Sequence, residues 1–137
     1  MGVQPIRPKT GDTEKITINL GFVDLGQIDL LVQEGFYSNR TDFIRTAIRN
    51  QLAKHAEVVN KSVVRQTLDL GLRHYSREDL EALRQAGQKL RISVVGLASI
   101  AEDVSPELAR ATIDSIVVLG ALRATPAVKA ALADRTS

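Results

Sequence analysis

The chain has 137 residues, 44% of them hydrophobic and 25% charged, with 18 Lys and Arg against 16 Asp and Glu and no Cys. This length suits one compact domain or two small ones, and a mean hydropathy near zero is that of a soluble protein. No apolar run approaches the roughly 20 residues of a membrane span, and no apolar signal core opens the sequence. Without Cys neither disulfides nor thiolate chemistry arise, so a cytoplasmic location is expected.

Residues 1–13 contain Gly2, Pro5, Pro8 and Gly11 with little apolar content, and are expected to form a flexible arm carrying Arg7 and Lys9. In Lys15-Ile16-Thr17-Ile18-Asn19-Leu20 the apolar residues then fall at every second position. Ile16, Ile18 and Leu20 share one face and Lys15, Thr17 and Asn19 the other, the alternation of a half-buried β-strand. A lone strand leaves its backbone N–H and C=O groups unpaired, and no second strand follows nearby to close a hairpin. The simplest pairing is with the same strand of a second copy.

From about Val23 the period becomes helical. Leu25, Ile28, Leu31 and Val32 recur at helical spacing, with Gly26 inside the helix and Gly35 where a left-handed C-terminal cap is expected. A second helix is predicted after Ser38, read as its N-cap, with Asp42 in the first turn. Phe43, Ile44, Ala47, Ile48 and Leu52 form its apolar stripe, and Phe43 and Ile48 are expected in the core.

These residues resemble the ribbon-helix-helix repressors of the CopG type. The likeness spans residues 14–54 and rests on the KITINL segment, on Ile28-Asp29 with Leu31 and Val32, and on Gly35-Phe36-Tyr37-Ser38-Asn39-Arg40 leading into Phe43-Ile44-Arg45 and Ala47-Ile48-Arg49. Gly21-Phe22 departs from the family pattern, in which Pro and an acidic residue often follow the strand. The resemblance implies two helices per chain and an intermolecular two-stranded antiparallel ribbon. It implies a homodimer held by Ile16, Ile18, Leu20 and the apolar face of the second helix. The ribbon would enter the major groove of double-stranded DNA, as strands do in the MetJ and Arc repressors. Lys15, Thr17 and Asn19 would then read bases, since Lys pairs with guanine, Asn pairs with adenine and Thr can meet the thymine methyl. Ser38, Asn39 and Arg40 would seat a DNA phosphate on the unpaired amides and positive dipole end of the second helix.

Charge does little to support such binding globally. Residues 1–57 set Arg7, Lys9, Lys15, Arg40, Arg45, Arg49 and Lys54 against Asp12, Glu14, Asp24, Asp29, Glu34, Asp42 and Glu57, seven against seven. Binding must rest on local placement of Lys15 and Arg40 and on the arm. Each site residue also has a purely structural reading. A solvated strand face commonly alternates Thr, Asn and Lys, Ser38 caps a helix whatever else it does, and Arg45 and Arg49 read as a wet helix face.

The second helix is expected to fray through Lys54-His55-Ala56-Glu57 or to run on to Asn60, and a second region follows over residues 58–137. There strand and helix alternate. Leu68 to Leu72 reads as a strand, Ser76 caps a helix from Arg77 to Ala86 with Asp79 at the capping-box position, and Leu90 to Val95 reads as the next strand. Ser105-Pro106 opens a helix, Ile116 to Leu122 is a strand, and Thr125-Pro126 opens a last helix, Pro losing nothing at a first helical position. Leu68, Ile92 and Ile116 are spaced by 24, as are Leu70, Val94 and Val118, and Gly96 and Gly120 share the interval. The region is loosely similar to leucine-rich βα solenoids with a parallel sheet, and another α/β topology fits equally well. The whole is a mixed α/β chain: arm 1–13, ribbon-helix-helix domain 14–57, and strand-helix region 58–137 for oligomerisation or sensing. Three units barely bury a core, so neighbouring chains or the N-terminal dimer are expected to cover the open ends of the stack.

The only imidazoles are His55 and His74, in different predicted regions, so no transition-metal site and no cofactor are expected. Asp69, Glu78, Asp79, Glu81, Glu102, Asp103 and Glu107 lie at helix starts or in loops with no paired nucleophile and base, which is not the pattern of an enzyme. Two functions remain. One is a homodimeric, nucleoid-associated DNA-binding transcriptional regulator, a repressor by the resemblance. The other is an antitoxin or similar interaction protein, with an autoregulatory DNA-binding half and a partner-binding C-terminal region.

Overall fold

The computed structural model describes residues 13–137. The chain divides into two compact units, the first ending at Val59 and the second running Asn60–Ser137. Except for Thr13, the expected arm lies outside the described residues.

In the first unit α1 spans Phe22–Gln33 and α2 spans Arg40–Lys54. Helix α1 starts at Gly21 without a side-chain cap. It ends as expected at Gly35, whose φ of 87° is open to glycine at no steric cost. Gly35 N–H donates to Val32 O and Phe36 N–H to Leu31 O, both at 3.0 Å, which satisfies the last carbonyls of the helix. Little of this unit is buried. Ile28 alone among its described residues is buried, and α2 buries none. Ile48, expected in the core, is 53% exposed, and Ala47 and Leu52 of the same stripe are also exposed. Phe43 is half-buried, its ring edge-on to Tyr37 with centroids 5.0 Å apart.

Helix α2 neither frays nor runs on. It stops at Lys54, His55 leaves helical geometry at φ −104°, and a further helix α3, Ala56–Arg65, crosses the boundary between the units. No capping residue announces α3, which is why the sequence reading missed it. At its far end Thr67 stands at φ 54°, the one described non-glycine residue with positive φ. It occupies the place that glycine fills after α1, with Leu68 N–H donating to Val63 O.

In the second unit β1 (Asp69–Tyr75), α4 (Arg77–Gln85), β2 (Leu90–Ile100), α5 (Pro106–Thr112), β3 (Ile113–Arg123) and α6 (Pro126–Ala131) alternate as expected. The three strands form one parallel sheet in sequence order. The helix starts are where the sequence put them. Ser76 and Asp79 make a reciprocal capping box, and the hydroxyls of Ser105 and Thr125 accept from Leu108 and Val128 amides ahead of Pro106 and Pro126. The helices pack in a row on one face, α4 against α5 and α5 against α6. There Leu80, Leu108 and Val128 meet Ile92, Val94, Ala98 and Ile116 from the sheet in a closed apolar core.

Two expectations about this sheet need correction. The strand expected to end at Val95 runs on past Gly96 to Ile100, and the first repeat interval is 25 rather than 24. The register pairs Gly71 with Gly96 and Gly96 with Gly120, so Leu70 lies beside Val95 and not Val94. The physical reason is a glycine row across all three strands, at φ 132°, 138° and 120°. A Cβ on Gly96 would lie within van der Waals collision of the Gly71 carbonyl oxygen, and one on Gly120 would meet the Gly96 oxygen in the same way. Only a backbone without Cβ can sit there, so the glycines and not the apolar spacing set the register.

Gly96→Ala is therefore expected to cost at least about 2–3 kcal/mol in chemical denaturation of the second unit, because strain and collision coincide. Thr67→Gly is expected to stabilise by roughly 0.5–1 kcal/mol, since a β-branched residue leaves the left-handed region. No gain for Thr67→Gly together with an unaffected Gly96→Ala would contradict this reading of the backbone.

Candidate nucleic-acid interface

Within a single chain the segment Lys15–Leu20 forms no hydrogen-bonded strand. The side chains nonetheless alternate against the rest of the unit. Ile18 and Leu20 line an apolar cavity of about 450 Å³ together with Ile28 and Leu31 of α1 and Phe43, Ile44 and Ile48 of α2. Much of that apolar surface faces water: Ile16 is 77% and Ile18 63% exposed. Lys15, Thr17 and Asn19 are all exposed.

The three residues expected to seat a phosphate lie together at the start of α2, with their roles redistributed. Ser38 is not the N-cap. Asn39 is, its side-chain oxygen accepting from the Asp42 amide at 2.8 Å. The Ser38 amide donates in turn to the Asp42 carboxylate at 2.9 Å. Two adjacent residues with capping oxygens compete here, and the extended backbone at Asn39 decides between them. By helix geometry the amides of Arg40 and Thr41 are among those left without intrahelical partners.

Arg40 is engaged with the protein itself. Its guanidinium grips Asp29 of α1 with two parallel bonds, Nε to Oδ1 at 2.7 Å and the terminal nitrogen to Oδ2 at 2.8 Å. The sequence reading named Asp29 only as part of a family motif and did not foresee this clasp between the two helices. The bonds from Arg40 hold the Asp29 carboxyl below its ordinary pKa and raise that of the guanidinium. Both groups are open to solvent, so the pair contributes modestly to stability. Arg45 and Arg49 lie on the exposed face of α2, where with Thr13 and Ile48 they border a second recess.

In the second unit a recess of about 370 Å³ opens at the carboxyl ends of the strands, where ligands of open α/β sheets bind. His74, Ser99 and Arg123 stand on one rung there, with His74 Nδ1 3.2 Å from Ser99 Oγ. Among the described residues no group of three or more His, Asp or Glu is placed to hold a metal ion, and no helix is long and apolar enough to cross a membrane.

The geometry agrees with the comparison to known families. Residues 11–129 match the Ribbon-Helix-Helix transcriptional regulator family, and the chain belongs to it. The match reaches well beyond the segment 14–54 that carried the resemblance and takes in the whole sheet, so the strand-helix region is part of the family's chain. No curated protein and no solved structure matches the chain.

Three exposed carboxylates are held below their ordinary pKa: Asp29 by Arg40, Asp79 by hydrogen bonds from Ser76, and Asp134 by Arg110. A lowered folded-state value means that the stability is present above the unfolded carboxylate value near 4 and is lost as pH falls through the folded value. Asp29→Asn is expected to lower the melting temperature slightly at pH 7 and to be silent at pH 2. An equal effect of the substitution at both pH values would contradict the clasp.

Proposed function

We propose that the protein is a homodimeric, sequence-specific DNA-binding repressor whose paired Lys15–Leu20 segments form an antiparallel ribbon in the major groove, as in CopG-type regulators. The observation that carries this reading is the apolar surface of the first unit. Ile18 and Ile48 are exposed at the lining of a cavity that includes Ile28, and Ile16 and Leu52 are exposed as well, which is surface that a second copy of the same unit would cover. Pairing two segments also satisfies the backbone groups that one chain leaves open. It places Lys15, Thr17 and Asn19 of both copies on the outer face, related by a two-fold axis, so the operator is palindromic or repeated.

In this reading the strand residues specify and the start of α2 positions. A phosphate docks on the Arg40 and Thr41 amides beside Ser38 and Asn39, and Arg40 divides its charge between that phosphate and Asp29. Arg7 and Lys9 of residues 1–13 add phosphate contacts. Regulation takes place in the cytoplasm at the nucleoid, without a cofactor or catalytic step. The antitoxin reading keeps the same DNA-binding half. The closed core of the second unit favours the regulator, because a partner-binding tail that folds only on its target has no such core of its own.

Selection of bound DNA from a random pool tests the proposal. Asn19→Ala and Thr17→Ala should each change the recovered sequence and cost about 1–3 kcal/mol on the wild-type site. Arg40→Ala should weaken all sequences alike and flatten the salt dependence by about one phosphate contact. Asp29→Asn should tighten binding by freeing Arg40. Strand variants with unchanged preference, or no selectable sequence at all, would overturn the reading.

A further inference from the structure

The helices of the second unit cover only one face of its sheet. Along β2 the burial alternates, with Ile92, Val94, Ala98 and Ile100 buried and Ser93, Val95, Leu97 and Ser99 only half-buried. The register carries that second set across the sheet. Leu70, Val95 and Leu119 share one rung, and Leu72, Leu97 and Ala121 share another. Leu72 is 63% and Leu119 57% exposed. The carboxyl rim of this face is polar, formed by His74, Ser99 and Arg123.

An apolar centre with a polar rim is the anatomy of an interface. All-parallel sheets, moreover, occur almost only with both faces covered. We propose that this face is an interface for the same face of a second copy, two sheets stacking leucine to leucine about a two-fold axis. The proposal rests on the homodimer reading above and deepens it. Strands about 4.8 Å apart with rises of about 3.3 Å give an apolar patch on the order of 300 Å², short of the roughly 800 Å² per partner of a self-sufficient interface. The patch is too small to dimerise alone, and a dimer made by the first units supplies the second copy at an effective concentration on the order of millimolar. The centre of the face carries no charge, so a copy of the same face meets it across a two-fold axis without leaving a charged group unpaired.

The chain has no cysteine, so single introduced cysteines report proximity in the full-length protein. Leu97→Cys and Val95→Cys lie on the central strand, near any two-fold axis through the face, whereas Lys129→Cys lies on the exposed side of α6. Under mild oxidation the first two are expected to give disulfide-linked dimers, and Lys129→Cys is not. Adding Leu72→Glu with Leu119→Glu, both at exposed positions, should reduce linkage at least tenfold while light scattering still reports the native dimer mass. A dimer in solution without linkage at Leu97 or Val95 would overturn the sheet-face inference and leave the homodimer reading standing. A monomeric mass would overturn the homodimer reading itself, and the inference with it.

Discussion

Residues 15–20 set a row of apolar side chains out in water. The segment alternates apolar and polar side chains as a strand does, yet among the described residues of the first unit no strand lies beside it, and its isoleucines stay in water. A surface of exposed isoleucine and leucine this concentrated is unusual in a self-contained fold. The rest of the first unit is arranged around that deficit. Helices α1 and α2 meet at Ile28, hold each other through the Asp29–Arg40 clasp, and leave the stripe of α2 facing outward.

The two units solve the same physical problem differently. The second closes an apolar core against one face of its sheet, with helices started by capping hydroxyls and a register locked by three glycines. The first has hardly any core of its own. If the proposed homodimer forms, much of the stability of the first unit is association free energy, and its folding then depends on concentration in a way that the second unit's core does not. The family match over residues 11–129 takes in residues of both units.

What could be read from the sequence was what local chemistry decides. Ser76 with Asp79, Ser105 before Pro106, Thr125 before Pro126 and Gly35 after α1 each act within a turn of helix, and each stands where it was read. What could not be read depends on contacts between distant residues or on competition between neighbours. Ser38 and Asn39 both carry capping oxygens, and the backbone chose Asn39. The 24-residue spacing of apolar positions was real for β2 and β3 but misled for β1, because the Gly71–Gly96 approach and not the leucine pattern fixes that register. Ile48 read as core because its spacing is right. A periodic pattern marks an apolar face but does not say whether that face is covered within the chain. The Asp29–Arg40 pair joins residues eleven apart across a loop, out of reach of any helical spacing rule.

Backbone amide hydrogen exchange over residues 15–20 as a function of protein concentration tests the central claim most directly. If two copies pair along this segment, its amides are protected at micromolar concentration and lose protection together as the protein is diluted through its dissociation constant. Exchange at the rate of an unstructured peptide at every concentration, with the α2 amides stable throughout, would contradict the account.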